Sequence, residues 1–147
     1  MGFSVQKTKE ADIKFLAQMN KELIQDEGSR NPMSLEQLEE RMNGWLFDEW
    51  EIEIIQKDTS VIGYAVYHIR KDDFYPDEKY IYLRQFYMRR EHRGKGYGTE
   101  ALKHLIRYSF PYGAKVSIDV LESNARGSNF WKKFGFEPYY TQMKLSK

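Results

Sequence analysis

The chain contains no cysteine among its 147 residues. This absence excludes disulfide bonds, thiolate nucleophiles and cysteine-ligated zinc, and it fits a protein of the reducing cytoplasm. The sequence also lacks an apolar run of the roughly 20 residues that a membrane-spanning helix needs, and its first residues lack the apolar stretch of a signal peptide. We therefore expect a cytoplasmic protein without a membrane partner and without a metal site.

An excess of charge of either sign is missing as well. Lysine and arginine together number 23 and aspartate and glutamate number 22, for a net charge of +1. Domains that bind nucleic acid usually carry a strong positive charge, so we do not expect nucleic acid as a partner. The length fits one domain and no linker or repeat divides the sequence, which predicts a single domain over residues 1–147.

The first third of the chain has the signals of one short strand and two helices. A strand at residues 3–7 leads to Thr8, a suitable N-cap for the first helix, and Gly28 is placed to end that helix. Ser34 and Gln37 have the spacing of a capping box for the second helix. Both helices carry apolar residues at helical spacing and should therefore pack against a core.

The rest of the chain alternates between strand and helix periods. Apolar residues at every second position predict an antiparallel hairpin between residues 50 and 69 and a long strand over residues 79–89. A helical stripe and a further alternating strand at residues 116–120 follow, which predicts a strand-helix-strand unit with a parallel crossover. A short helix at 125–134 and a last strand at 137–145 complete an α/β fold.

A glycine-rich turn, Arg93-Gly94-Lys95-Gly96-Tyr97-Gly98-Thr99, joins the long strand to the following helix. Glycine allows backbone turns that direct several N–H groups into one concavity, and a helix start adds its own free N–H groups, so such a site can hold a pyrophosphate. The turn is not a Walker loop, because Gly96 follows Lys95 where Ser or Thr is needed. It is not a dinucleotide fingerprint either, because Thr99 replaces the third glycine.

The spacing of Arg93, Gly96 and Gly98 instead resembles the acetyl-CoA signature of the GNAT superfamily of N-acetyltransferases. The resemblance covers roughly Lys79 to Pro138 in the family's order. It implies a mixed, mostly antiparallel twisted sheet whose central parallel strand pair splays apart at the acetyl-CoA site. It also implies that acetyl-CoA is the cosubstrate and that its acetyl group passes directly to a primary amine of a small molecule or peptide.

The resemblance further implies which residues meet acetyl-CoA. The pantetheine arm would pair with the strand before the turn, and the Met88 N–H would polarise the thioester carbonyl as a catalytic oxyanion donor. Asn124 would lie near the arm, although asparagine is equally suited to capping the next helix. The residues implied to bind acetyl-CoA are Phe86, Tyr87, Met88, Arg93, Gly94, Lys95, Gly96, Tyr97, Gly98, Thr99 and Asn124.

Two positions depart from the family pattern. Trp131 stands where many members have a tyrosine that protonates the leaving thiolate, and Tyr82 stands where some relatives have a glutamate base. An indole N–H is no useful acid at neutral pH, so we expect Trp131 to pack beside the CoA arm. No general base can be named from the sequence, and Asp119 is expected to be solvated because it is out of phase with its apolar neighbours. These departures leave a CoA-binding sensor or interaction domain without catalytic activity as an alternative.

The loop between the first two helices is the candidate acceptor site. Asp26 and Glu27 place two negative charges at a helix C-terminus, against the helix dipole, where they would attract a cationic amine. Arg30 and Asn31 complete the predicted substrate-binding set, with Arg30 suited to a carboxylate of the same substrate. A solvated polar loop explains these residues equally well. The aromatic pair at 139–140 is suited to a homodimer contact.

Overall fold

A computed structural model describes residues 2–146. The alternating apolar positions form a five-stranded sheet whose strands lie in chain order, with β1 to β4 antiparallel and β4 and β5 parallel. The strands are β1 Phe3–Lys7, β2 Glu51–Lys57, β3 Ser60–Lys71, β4 Lys79–Met88 and β5 Lys115–Ile118. The expected mixed sheet with one parallel strand pair is confirmed.

Four α-helices cover the sheet: α1 Ile13–Glu27, α2 Leu35–Leu46, α3 Tyr97–His104 and α4 Ala125–Phe134. The predicted capping box begins α2, since the Gln37 N–H donates to Ser34 Oγ at 3.2 Å and the Ser34 N–H donates to Gln37 Oε1 at 2.9 Å. Gly28 ends α1 in the left-handed conformation, with φ of 69°. No helix within residues 2–146 is long and apolar enough to cross a membrane.

Thr8 is not the N-cap of the first helix, and this prediction was wrong. A short 3₁₀ turn over Glu10–Asp12 precedes α1, and the N-cap of that turn is Lys9, whose N–H donates to Asp12 Oδ2 at 2.9 Å. The Thr8 hydroxyl is buried without a hydrogen-bond partner in the described chain. The acidic residues Glu10 and Asp12 therefore lie in the 3₁₀ turn, and the first turn of α1 itself carries no acidic residue.

The sheet has an apolar core on each face. One core joins α1 and α2 to the sheet through residues such as Leu16, Met42 and Tyr64. The other joins α3 and α4 to the opposite face through residues such as Leu102 and Phe130. The sheet is therefore a central layer between two helical layers.

The predicted last strand at residues 137–145 does not form. This segment has no sheet pairing, and the side chains of Tyr139, Met143 and Leu145 are about 90% exposed. Pro138 has no N–H to donate to a ladder at the start of the segment. The apolar core ends at Phe136, which packs on Trp131 at 5.2 Å between ring centroids. The homodimer contact suggested for residues 139–140 stays a prediction.

A β-bulge in β4 creates the opening that the functional site uses. Val66 of β3 pairs with Gln85 and the next residue, Tyr67, pairs with Leu83, so Arg84 is the extra residue in β4. On its other side, β4 pairs with β5 only from Tyr80 to Leu83. A bulge bends its strand and increases the local twist, so the second half of β4 diverges from the parallel strand.

Candidate active site

A cleft of about 890 Å³ lies where β4 and β5 separate. Its walls are the end of α1, the second half of β4 together with the glycine turn, the end of β5 with the residues after it, and α4 as far as Trp131. Four separate parts of the chain therefore meet at one opening in the sheet, in the position where open α/β sheets commonly bind ligands.

The edge of β4 that faces this cleft carries unpaired backbone groups. The Arg89 N–H donates to the Ile62 carbonyl of β3 at 2.7 Å. Because successive N–H groups of a strand point in opposite directions, the N–H groups of Met88 and Phe86 point toward the cleft. No sheet partner covers them within residues 2–146, since the pairing with β5 ends at Leu83. The edge can thus accept a further extended chain of amides.

The glycine turn forms a concave end to the same cleft. Gly94 and Gly96 have φ of 77° and 78°, and a Cβ built on either would meet no atom within 4 Å. The first hydrogen bond of α3 is donated by the Glu100 N–H to the Gly96 carbonyl at 3.2 Å. The preceding N–H groups of the helix start have no partner within the helix and are available to an anion.

Gly98 has a different reason to lack a side chain. Its φ is not in the left-handed region, but a Cβ at this position would meet the Phe130 ring at 3.2 Å and the Met88 side chain at 3.6 Å. Gly98 therefore permits close packing of α3 against α4 and β4, whereas Gly94 and Gly96 shape the turn itself.

The structure brings most of the predicted site residues to this cleft. Of those expected to meet acetyl-CoA, all but Lys95 line it, and Asp26, Glu27 and Trp131 line it as well. Arg30 and Asn31 do not line it; Asn31 instead shapes its own loop, with its Oδ1 accepting from the Met33 N–H at 2.9 Å. Asn124 combines both of its expected places, since it lines the cleft and caps α4 through the Gly127 N–H at 2.9 Å.

Two arginines compensate the charge of Asp26 at the end of α1. Arg90 Nη2 lies 2.9 Å from Asp26 Oδ1, and Arg93 Nη2 lies 2.5 Å from Asp26 Oδ2. Burial alone would raise the pKa of Asp26, but the hydrogen bonds from both guanidinium groups outweigh it and lower that pKa. Arg93 Nε also donates to the Met88 carbonyl at 2.9 Å. The Arg93 side chain therefore links the end of α1 to the end of β4.

Glu27 has the opposite electrostatic environment from its neighbour. Its half-buried side chain lines the cleft, and burial, followed by repulsion from Asp26, raises its pKa above the ordinary value. The Glu27 carbonyl accepts from Ser123 Oγ at 3.1 Å, which ties the end of α1 to the loop after β5. A carboxylate with a raised pKa in a cleft is a candidate for proton transfer.

Aromatic rings form an apolar wall of the same cleft. The Phe86 ring lies 6.1 Å from Phe130 and 5.7 Å from Trp131, and Phe130 and Trp131 are 4.9 Å apart. Trp131 thus belongs to a packed aromatic cluster that also reaches the cleft. This placement agrees with a packing role for the indole.

Tyr82, which stands where some relatives have a glutamate base, does not line the cleft, and its hydroxyl proton is held by Asp119. Burial and a hydrogen bond to Asp119 raise its pKa to about 12, and its hydroxyl donates to Asp119 Oδ2 at 2.5 Å. Asp119 is exposed, as expected, but it also lines the cleft. Asp119 lies beyond the end of β5 at Ile118, so the alternation of that strand does not determine where its side chain points.

Arg84 and Phe130 also line the cleft, although neither is among the site residues predicted from the sequence. Arg84 projects from the bulge, whose position depends on the pairing between β3 and β4. Phe130 follows the helical period of α4, one residue before Trp131, and that period could have identified it.

The comparisons with known proteins agree with this geometry. The model of the acetyltransferase (GNAT) family matches residues 16–136. Three solved structures share the fold. A protein from Clostridium acetobutylicum described as a predicted acetyltransferase, solved with acetyl-CoA, is 19% identical over 98% of this chain and 96% of its own, with a TM-score of 0.74. An aminoglycoside N-acetyltransferase, AAC(6′)-Iy, in complex with CoA is 15% identical over 99% and 94%, with a TM-score of 0.75. A GNAT family acetyltransferase from Staphylococcus aureus is 17% identical over the full length of both chains, with a TM-score of 0.71. The family model covers most of the chain, and the protein therefore belongs to the GNAT family of acetyltransferases.

Proposed function

We propose that this protein transfers the acetyl group of acetyl-CoA, the cosubstrate of its family, to a primary amine. The observation that carries the proposal is the meeting of two features in one cleft: the unpaired edge of β4 and the anion-binding turn at the start of α3. The first suits the amides of pantetheine and the second suits a pyrophosphate. CoA contains both groups in one molecule.

The residues divide between these two parts of CoA. The backbone of residues 94–99 would hold the pyrophosphate, and the backbone edge of Phe86 and Met88 would pair with the pantetheine arm. Arg93 is engaged with Asp26 and with the Met88 carbonyl, so we assign it the role of positioning the end of β4. Phe130 and Trp131 would pack along the apolar side of the arm, because both line the cleft beside Phe86.

The reaction would proceed by direct attack of the amine on the thioester. The amine enters from the α1 side and gives up a proton, with Glu27 as the proposed acceptor of that proton. Its nitrogen then bonds to the thioester carbon while the Met88 N–H stabilises the developing oxyanion. The C–S bond breaks and CoA leaves as a thiolate, while the bonded nitrogen loses its further proton to that thiolate or to water and becomes a neutral amide. A thiol has an ordinary pKa near 8.5, so this departure does not require a strong acid.

We predict that Trp131→Phe lowers kcat by less than about tenfold, because phenylalanine preserves an aromatic surface and a true general acid would be worth about 10² to 10⁴. The loss should appear mainly as a higher KM for acetyl-CoA. Steady-state kinetics with both substrates varied will measure this. A fall in kcat of about 10³ in a folded variant that still binds acetyl-CoA would instead assign the indole N–H a role in the transition state.

The proposed function is tested by two measurements on the same protein. Calorimetric titration with acetyl-CoA examines the cofactor site, and release of free CoA in the presence of a panel of small amines and peptides examines the transfer. We expect binding without an amine and CoA release only with one. Binding without release from any amine would favour the CoA-binding domain without catalysis, and no binding would contradict the proposal.

A further inference from the structure

The bulge residue Arg84 presents a guanidinium group that has no carboxylate partner among residues 2–146. Arg84 is exposed and lines the cleft, and its guanidinium carbon lies 5.0 Å from the Trp45 ring centre and 5.4 Å from that of Trp50. It takes part in none of the ion pairs formed among residues 2–146. A guanidinium that stacks on an aromatic ring is restricted in orientation, while the N–H donors at its edge remain available. It therefore loses less conformational entropy when it binds a ligand.

A second guanidinium contacts the same indole. The Arg41 guanidinium carbon lies 4.6 Å from the Trp45 ring centre, and Arg41 Nη2 donates to the buried Asn20 Oδ1 at 3.0 Å. Arg41 Nε and Asn20 Nδ2 are buried without hydrogen-bond partners in the described chain. Burial lowers the pKa of Arg41, and the positive charge of Arg84 lowers it further. The two like charges thus repel each other, and neither forms an ion pair with a carboxylate of residues 2–146.

The neighbouring charged groups do not neutralise this pair. Glu49 is bound to His68 Nε2 at 3.1 Å, and Arg70 Nε donates to the other ring nitrogen of the same histidine at 3.0 Å. Glu27 lines the same cleft as Arg84, on the side of α1. A ligand in the cleft would therefore meet a negative group on α1 and a positive group at the bulge.

We propose that Arg84, supported by Arg41, binds a carboxylate of the acceptor, so that the substrate is an amine that also carries a carboxylate. This inference rests on the proposed acetyl transfer, and it replaces Arg30 with Arg84 as the group that holds the carboxylate. The guanidinium fork matches the two oxygens of a carboxylate, and such charge-assisted pairs are among the stronger polar contacts. The ammonium end would face Glu27, and the carboxylate would fix which amine reaches the thioester.

The position of the bulge suits this arrangement. β4 advances about 3.4 Å per residue, so the Cα of Arg84 lies about 7 Å from that of Phe86 and about 14 Å from that of Met88. The acceptor would have to span the distance between the Arg84 guanidinium and the thioester carbon. Substrates that differ in the number of carbons between amine and carboxylate would consequently differ in how well the amine reaches the reacting carbon.

The test compares amines in matched pairs. The panel contains α-amino acids and ω-amino acids with two to six carbons, each beside its carboxamide, and phosphoethanolamine beside ethanolamine. We expect kcat/KM of the best amino acid to exceed that of its carboxamide at least tenfold, since the amide cannot accept a charge-assisted bidentate pair. A preference limited to phosphoethanolamine would overturn the carboxylate assignment, because the anion would then be a phosphate.

Substitutions test which residue causes the preference for the amino acid over its carboxamide. Arg84→Gln should raise KM for the amino acid at least tenfold while KM for its carboxamide and for acetyl-CoA changes less than about twofold. Arg84→Lys should recover part of the loss, because it restores the charge but not the fork. The control is Arg70→Gln, which removes an arginine that also stacks on Trp50, at 6.0 Å, but does not line the cleft. It should change none of these constants by more than about twofold.

The inference would be overturned, with acetyl transfer unaffected, by either of two results. One is an equal kcat/KM for the amino acid and its carboxamide, and the other is an Arg84→Gln variant in which kcat/KM falls equally for both. If acetyl-CoA binds but no panel amine is acetylated, thermal unfolding of the CoA-bound protein decides instead. The carboxylate site is supported if an amino acid, but not its carboxamide, raises the unfolding temperature of the wild type and if this rise is lost in Arg84→Gln. It is overturned if the amino acid does not raise the unfolding temperature of the wild type. Failure to bind acetyl-CoA overturns the proposed function itself.

Discussion

Gly96→Val is expected to weaken acetyl-CoA binding by at least about a hundredfold in a protein that still folds. Gly96 has φ of 78° and lines the cleft, and a Cβ at this position would meet no atom within 4 Å. A valine side chain would occupy the volume of the pyrophosphate and separate it from the N–H groups of the helix start. Loss of two hydrogen bonds to a charged group, at about 1.5 to 3 kcal/mol each, is sufficient for this effect.

The control for backbone strain is Gly113→Val. Gly113 has nearly the same φ, 75°, a Cβ at its position would also meet no atom within 4 Å, and it does not line the cleft. Both substitutions force a β-branched residue into the left-handed region, at a cost of about 1 to 2 kcal/mol or more, and both should lower the unfolding temperature similarly. Only Gly96→Val should change the dissociation constant in calorimetric titration. If a folded Gly96→Val protein binds acetyl-CoA with unchanged affinity, the pyrophosphate does not bind at this turn.

The contrast among the glycines shows how far the sequence could predict this site. Spacing alone was sufficient to place a phosphate-binding turn between a strand and a helix, because Gly96 and the helix start are neighbours in the chain. The spacing also assigned Gly98 to the same turn. In the structure, however, glycine is needed at this position because the Phe130 ring lies against it. Residues that are adjacent in sequence can thus share a motif and serve different contacts.

Features that depend on distant pairing could not be predicted in the same way. The bulge at Arg84 follows from the register between β3 and β4, and a shift of one residue would reverse which side chains reach each face. The two arginines that compensate Asp26 lie more than 60 positions later in the chain. The sequence signalled an unfavourable charge at the end of α1, but only the fold identifies its partners.

Side-chain periodicity predicted the buried residues correctly in elements that bury one face. It was misleading in elements that bury both faces or neither. The helices α1 and α2 bury their apolar stripes as predicted. In β2, Glu53 alternates with apolar residues as if it faced solvent, yet it is buried and accepts hydrogen bonds from the Tyr67 hydroxyl and from Ser109 Oγ. Residues 137–145 have apolar positions typical of a strand, but they pair with no strand in the described chain.

Glu27→Gln is expected to lower kcat/KM by about 10² or more, because the amide preserves the shape of the side chain and cannot accept the proton of the amine. In the wild type, kcat/KM should fall on the acid side as Glu27 becomes protonated, with a midpoint above the ordinary glutamate value of 4.5. The variant should lose this dependence and retain only the one that belongs to the amine. Equal activity and equal pH profiles in the two proteins would exclude Glu27 as the base.

The same substitution should not reduce stability, which separates a catalytic effect from damage to the fold. Because the pKa of Glu27 is raised in the folded protein, its charged form destabilises the fold, and the wild type loses stability as the pH rises through the unfolded and then the folded pKa. Glu27→Gln removes this cost, so its unfolding temperature near pH 7 should equal or exceed that of the wild type.

The adjacent carboxylate supplies a matched control with the opposite sign. The pKa of Asp26 is lowered, so its charge stabilises the fold above the ordinary value of 3.8, and this contribution is lost as the pH falls through the folded pKa. Asp26→Asn should therefore lower the unfolding temperature near pH 7 and have less effect in acid. Since repulsion from Asp26 helps to raise the pKa of Glu27, Asp26→Asn should also move the acid limb of kcat/KM to lower pH. An acid limb that stays in place would show that a group other than Glu27 controls it.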